Sequence, residues 1–259
     1  MQLTDAVALV TGGSAGIGRS IAVALADQGV RVLVHGRDPE RTANVATRLN
    51  APHLLADLSD PADRDRLATQ ALAAHGRVDI LINNAGIGWS GPFTEMSAMQ
   101  RQQLIELNLT AAIDLTSRLL PQMLERDHGT ICFISSVAGK TGVAGEAVYA
   151  ATKAGLDAYA ESLRLETSGT GVRICTVVPG VVDTGFFDHR ANAYRRRFPR
   201  PVPPEAVARA VVGAISADRS EVWVPAWLRT ASVVRALMPG VFRTLSARFG
   251  EPVRLRSPR

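Results

Sequence analysis

Val7-Ala8-Leu9-Val10-Thr11-Gly12-Gly13-Ser14-Ala15-Gly16-Ile17-Gly18 is the stretch whose reading decides the fold. Four apolar residues read as a buried strand. A glycine-rich turn follows, and then an amphipathic run from Arg19 to Gln28 that stops at Gly29, a residue suited to the left-handed end of a helix. Strand, glycine turn and helix in that order make a cradle for phosphate. Glycines admit positive φ and let a ligand approach the backbone, and the helix start offers unpaired N–H groups and the positive end of its dipole. A lone glycine triplet would be weak, but one set between a strand and a helix at the head of an alternating pattern is specific.

The alternation continues outward from this stretch. Val30–His35 reads as strand two, Pro39–Leu49 as a helix, His53–Ala56 as strand three and Pro61–His75 as a helix. Val78–Ile82 is strand four, about Ala98–Arg126 one long helical region, and Thr130–Ser135 strand five. The helix carrying Tyr149 runs to about Thr167, Val172–Val178 is strand six and Glu221–Val224 a short seventh. Apolar runs separated by helices are strands of a parallel sheet buried on both faces. The expected fold is α/β, a three-layer doubly wound parallel sheet of about seven strands, with ligands at the carboxyl ends of the strands.

Composition agrees with one large core: 259 residues, 46% of them hydrophobic. Cys132 and Cys175 lie in apolar runs without metal-ligand spacing. They suit a reducing compartment, and a cytoplasmic location is expected. The five histidines (His35, His53, His75, His128, His189) are scattered, read as loop or strand-end residues, and no metal site is expected.

Tyr149 and Lys153 stand four apart in Val-Tyr-Ala-Ala-Thr-Lys-Ala-Gly. On a helix they share one face. An ammonium beside a phenol favours the phenolate, pulling a pKa near ~10 toward working pH. Such a tyrosine can exchange a proton with a carbonyl or alcohol oxygen. The chain has 29 basic residues and only two are lysines, Lys140 and Lys153. A sequence that otherwise uses arginine keeps a compact ammonium here, which a guanidinium cannot replace.

With these features in place the chain resembles the short-chain dehydrogenase/reductase family. Gly12, Ser14, Gly16, Ile17 and Gly18 fall in its Thr-Gly-x-x-x-Gly-x-Gly turn. Asp57-Leu58 matches its adenine-side pair, and Asn84, Ala85 and Gly86 belong to its Asn-Asn-Ala-Gly motif. Pro179-Gly180, Val182 and Thr184 match its nicotinamide-side loop. Ser136 lies 13 residues before Tyr149, and Asn108 falls in the long helix where the family keeps an asparagine. The ordered resemblance covers residues 1 to about 190. It implies one Rossmann-type domain over 1–259, with a substrate loop at about 181–204 and an amphipathic extension at about 226–259. It also implies a catalytic set of Asn108, Ser136, Tyr149 and Lys153. Ser136 would donate to the carbonyl oxygen, a contact worth roughly 2.7–4 kcal/mol at the transition state. Tyr149 would pass the proton, Lys153 would hold the nicotinamide ribose and keep Tyr149 acidic, and Asn108 would bind a water.

Cofactor choice turns on His35-Gly36-Arg37-Asp38. A carboxylate at the end of strand two would bind the ribose hydroxyl and repel a 2′-phosphate. Gly36 occupies that place, and Arg37 can clamp a phosphate. NADP(H) is therefore preferred over NAD(H), although Ala15 stands where many NADP-preferring relatives carry a second basic residue. Asp38 reads as one residue too late to be the ribose acid.

Residues 190–259 hold 14 arginines against four acids, within a chain of net charge +5. That points to an acidic partner or to a solvated basic surface, with nucleic acid excluded by the lack of any recognition motif. The stretch Ala226–Arg248 reads as two short amphipathic helices broken at Pro239-Gly240. They could lie on a membrane, cap a lipophilic pocket or pack on the domain, and capping or packing is favoured over peripheral membrane contact. The tail lacks the family's tetramer segment, so a homodimer through the long helix and the Tyr149 helix is expected. The pocket is expected between Ile87, Trp89, Pro92 and Phe93 on one side and Phe186, Phe187, Tyr194 and Phe198 on the other. Arg190, Arg195, Arg196, Arg197 and Arg200 would form its rim. That describes a lipophilic ketone or alcohol and an enzyme of the 1.1.1 class. The alternatives carried are an NAD(H)-dependent alcohol dehydrogenase, a sugar-nucleotide epimerase or dehydratase, and a nucleotide-binding scaffold without turnover.

Overall fold

The computed structural model describes residues 2–186 and 200–249. Its first unit is the expected one: β1 (Val7–Val10), a glycine turn and α1 (Gly16–Ala26). The next two units are β2 (Arg31–Gly36) with α2 (Pro39–Arg48), and β3 (His53–Leu55) with α3 (Pro61–His75). Asp-Pro opens both helices for the same reason. Asp38 and Asp60 accept from backbone N–H groups of the first turn, and the proline that follows needs no such partner. Gly76, at φ 71°, ends α3.

β4 (Ile80–Asn83) leads through a 3₁₀ turn at Phe93–Glu95 into α4 (Ala98–Ile105) and α5 (Ala111–Glu125). Where the sequence predicts one continuous helix, a π-helical turn at Glu106–Thr110 separates α4 from α5. It widens the hydrogen-bond ring while keeping the helical direction, so residue periodicity cannot reveal it. β5 (Gly129–Ile134), α6 (Val137–Thr141), α7 (Ala147–Glu166) and β6 (Val172–Pro179) follow. Then come α8 (Pro204–Ser216), β7 (Glu221–Val224), α9 (Arg229–Leu237) and α10 (Pro239–Phe249). Neither α6 nor α8 is anticipated in the sequence reading. The break at Pro239-Gly240 is, and Pro239 opens α10.

The seven strands are all parallel, in the order β3-β2-β1-β4-β5-β6-β7. Alternate residues supply two cores. Ala8, Val10, Ile80, Ile82, Cys132 and Ile134 face α1, α2 and α8, while Val7, Leu9, Leu81, Ile131 and Phe133 face α3, α5 and α7. Both faces are covered, so the strands read as unbroken apolar runs rather than alternating ones. Chain order reverses beside β1. The crevice that opens there, at the strands' carboxyl ends, is where a doubly wound sheet binds ligands.

Candidate active site

The glycine turn is locked to its neighbours by polar contacts. Gly12, at φ 64°, donates its N–H to His35 Nδ1 at 3.2 Å, and Gly13 N–H donates to the His35 carbonyl at 2.7 Å. With Nδ1 accepting, Nε2 carries the proton and donates to the Ala56 carbonyl at 3.2 Å. His35 therefore joins the turn to the end of β3. It is a buried residue near the end of β2, and burial drives its pKa down to about 4. His35 thus sits at a strand end, as the sequence reading has it, whereas His75 closes α3 and departs from that reading. A Cβ on Gly18 would sit 2.2 Å from the Gly12 carbonyl oxygen, which is why the helix can start so close to the turn. Thr11 Oγ1 donates to the Ile82 carbonyl and accepts from the N–H groups of Asn84 and Ala85, pinning the loop after β4 against the loop after β1.

At the end of β2 there is no room for a side chain on Gly36, because its Cβ would lie 2.2 Å from Thr42 Oγ1 and 2.9 Å from Ser14 Oγ. Arg37 is exposed, 3.9 Å from the Asp57 carboxylate. Asp38 caps α2 and pairs with Arg41, whose backbone N–H holds its carboxyl below the usual range. Arg41 lines the same wall as Arg37 and was not anticipated from the sequence.

The other end of the cleft is built from α6, α7 and the π turn. Ser136 is the N-cap of α6, accepting from Ala138 N–H at 3.2 Å. Tyr149 and Lys153 lie one turn apart on α7, both buried, with Lys153 Nζ 5.9 Å from the centre of the Tyr149 ring. Lys153 donates to the Ile134 carbonyl at 2.8 Å, and burial lowers its pKa to about 8 against the opposing charge of Asp157. Asn108 sits in the π turn. Its Oδ1 accepts from Ile87 N–H at 2.8 Å and its Nδ2 donates to the Ile87 carbonyl at 2.9 Å. The second lysine, Lys140, pairs with Glu221 at 2.6 Å and Asp157 at 3.6 Å, tying α6 to β7 and α7.

A cleft of about 1350 Å³ collects these elements. It is lined by Gly12, Ser14, Gly16, Ile17, Gly18, Arg37, Asp57, Leu58, Asn84, Ala85 and Gly86, and further along by Ser136, Tyr149, Lys153, Pro179, Gly180, Val182 and Thr184. Asn108 is the one predicted site residue not on that wall. It lines a void of about 10 Å³ behind Lys153, together with Thr11 and Asn83. Of the near-side apolar candidates only Ile87 lines the cleft, whereas Phe93 is exposed under Arg101. On the far side Phe186 reaches the Tyr149 ring at 5.9 Å between centres. Phe187, Tyr194, Phe198, Arg190, Arg195, Arg196 and Arg197 lie outside the described residues. Trp227, Leu228, Ala231, Phe242 and Leu245 add an apolar wall from the C-terminal helices. Val182 bridges Val202, with Val202 N–H donating to Val181 O and Asp183 N–H to Val202 O.

Residues 6–195 match the short chain dehydrogenase family. The chain belongs to that family. This short-chain dehydrogenase, an oxidoreductase, is 40% identical over 229 residues to the ketoacyl reductase HetN of a Nostoc species, covering 86% of this chain and 79% of that one. Among solved structures it is similar to a metagenomic short-chain oxidoreductase in complex with NADP, at 36% identity and TM-score 0.75, over 86% of this chain and 98% of that one. A short-chain dehydrogenase from Burkholderia phymatum in complex with NAD shares the fold, with TM-score 0.85 at 23% identity over 98% of this chain and all of that one. Among the described residues of this dehydrogenase there is no group of histidine, cysteine and acidic side chains that could hold a metal, and no helix long and apolar enough to cross a membrane.

Proposed function

We propose that this enzyme interconverts a carbonyl compound and an alcohol, with NADP(H) as hydride carrier and a lipophilic substrate. The observation that carries this reading is the meeting of Ser136, Tyr149 and buried Lys153 on one cleft that begins at the glycine turn. The residues fit a dinucleotide. α1 starts with no side-chain cap and no acid in its first turn, so its amides face the cleft without competition. Gly18 and Gly36 have no room for a side chain, so the glycine turn, the start of α1 and the end of β2 stay close together along the cleft wall.

The bound nicotinamide would supply or accept the hydride. Ser136 would donate to the substrate oxygen, and Tyr149 would give that oxygen its proton on reduction and take it back on oxidation. Lys153, held against the Ile134 carbonyl, keeps a positive charge or a donor one turn from the phenol and lowers the cost of the phenolate. The small void behind Lys153 has room for one water, and Asn83 Oδ1 and Asn108 border it. A water there would pass Lys153's proton onward.

For the cofactor's 2′-phosphate the support is local. Gly36 excludes a carboxylate at the ribose position, Asp38 is committed to Arg41 and the helix cap, and Arg37 and Arg41 both line that wall. For the substrate the support is the apolar wall of Ile87, Val143, Phe186, Trp227 and Phe242. The test is a thermal-shift titration with NADPH and NADH, followed by turnover of a series of ketones of increasing chain length. Stabilisation at much lower NADPH than NADH, and kcat/KM rising with chain length, are expected. A stronger response to NADH overturns the cofactor reading, and full turnover by Tyr149→Phe overturns the mechanism.

A further inference from the structure

The C-terminal helices do more than wall the cleft. α9 and α10 pack on each other, and α9 rests on α6. α9 has no buried residue. The turn between the helices presents Leu237 at 77% exposure, Met238 at 53% and Val241 at 45%, and Val233 continues the apolar strip at 47%. These four side chains lie outside the cleft lining. Half of the exposed large hydrophobics of the described chain fall between Trp227 and Leu245, so this is a patch and not scatter.

The charge around the patch has one sign. From Val222 to Gly250 the sequence has no acidic residue and four arginines. Arg229, Arg235 and Arg243 are exposed, and none of them takes part in an ion pair among the described residues. Arg229 helps hold the Glu221 carboxyl below its usual range, and Arg235 donates to the Lys140 carbonyl at 2.8 Å. An apolar tip flanked by these exposed arginines selects its occupant. A second copy would set these arginines against their own images across a two-fold axis. A soluble acidic protein would satisfy the arginines but has no use for a protruding Leu-Met tip. An anionic bilayer satisfies both, taking the tip among its acyl chains and the guanidinium groups at its headgroups.

We infer that the α9–α10 hairpin docks this enzyme on an anionic lipid surface, with Leu237, Met238 and Val241 inserted and Arg229, Arg235 and Arg243 at the headgroups. Trp227, Phe242 and Leu245 join the hairpin to the cleft, so docking sets the mouth of the apolar cavity beside the membrane interface. The inference is independent of the cofactor and substrate readings.

Flotation of the full chain tests it, with vesicles of phosphatidylcholine alone and of phosphatidylcholine with phosphatidylglycerol. Binding to the anionic vesicles only, weakened by salt, is expected. Leu237→Asp with Met238→Asp should cut partitioning at least tenfold. Each arginine near an anionic surface is worth roughly a factor of five, so Arg229→Gln with Arg243→Gln should cut it roughly twenty-five-fold. A thermal midpoint equal to wild type shows that a variant is folded, and the milder Leu237→Ser reads the same effect if the double aspartate variant is not. Absence of wild-type flotation on anionic vesicles overturns the inference, as does equal flotation by wild type and variants. Arginine-dependent but tip-independent binding overturns insertion of the tip and leaves a purely electrostatic surface contact. A drop in solution mass of the tip variant, measured by light scattering, overturns it in favour of a second copy.

Discussion

The floor of the cleft and the C-terminal hairpin are the two walls of one site, built on opposite principles. On the floor Asn108, Ser136, Tyr149 and Lys153 are buried; Asn108 and Lys153 hydrogen-bond to backbone groups of neighbouring elements, and Ser136 caps its own helix. The hairpin has the opposite balance, with Leu237 and Met238 more than half in solvent, Val233, Val241 and Leu245 nearly so, and Arg229, Arg235 and Arg243 exposed. The proposed proton transfer needs donors fixed before the substrate arrives, and burial among satisfied backbone groups would supply that order. Choosing a substrate, or a surface on which to find one, needs side chains that still have contacts to make.

The largest effect should come from the floor. Lys153→Met removes the charge beside Tyr149, and kcat is expected to fall by about 10²–10⁴-fold while the fold is kept. A fall of less than tenfold would mean that the floor's electrostatics do not drive the chemistry. Next is His35, whose neutral ring the fold prefers. Its folded pKa of about 4 lies below the ordinary 6.5, so the unfolded chain binds the extra proton between these values. Stability from this group is full above pH 6.5 and is lost as pH falls toward 4, by about 3 kcal/mol in all. His35→Asn keeps a polar group beside Gly12 but does not titrate, so its unfolding free energy should be flatter across that window. Parallel pH curves for the two proteins would remove His35 from the account.

Arg37→Ala should raise the KM for NADPH by about tenfold or more, the worth of a charged hydrogen bond, and leave that for NADH nearly unchanged. Equal changes for both cofactors would point to the adenine side rather than to phosphate. Lys140→Met leaves Asp157 without its cation and loosens α6 from β7. A loss of about 1–2 kcal/mol is expected in denaturant melts, because the Glu221 half of the network is partly solvated. The smallest effect is a predicted silence: Leu237→Asp should leave kcat/KM on a short, water-soluble ketone within about twofold, as an exposed position away from the chemistry implies. A tenfold loss there would erase the division between floor and hairpin.

The floor was legible because each of its parts has a local signature. The glycine turn needs glycines, Asp-Pro announces α2 and α3, and the Tyr149 to Lys153 interval is one helical turn. What escaped is long-range or silent in periodicity. A π turn at Glu106–Thr110 and an α-helix place apolar residues in nearly the same rows, so the special setting of Asn108 had no letter to mark it. His35 looks like any strand residue until Gly12 and Ala56 close around it from turns far apart in sequence. Arg41 became a wall residue through the direction in which α2 leaves β2. α8 could have been read: Pro204 at its start and Val207, Val211 and Ile215 at spacings of four are its buried stripe. Phe93 illustrates the reverse error, an aromatic counted toward the pocket from its place in the chain but turned outward to an arginine.

The neck at Val182 and Val202 has a consequence for how such an enzyme can diversify. Its backbone hydrogen bonds tie 181 and 183 to 202, so the two ends of the intervening segment are held together at the neck. The entropy of loop closure grows only with the logarithm of length, about 0.6 kcal/mol for each doubling. Evolution can therefore lengthen, shorten or replace the segment as a cassette, at a thermodynamic penalty smaller than that of one lost core methylene. For protein engineering the same neck marks the two ends of such an exchange, and a graft that keeps Thr184, Gly185 and Phe186 retains the described residues of the segment that line the cleft.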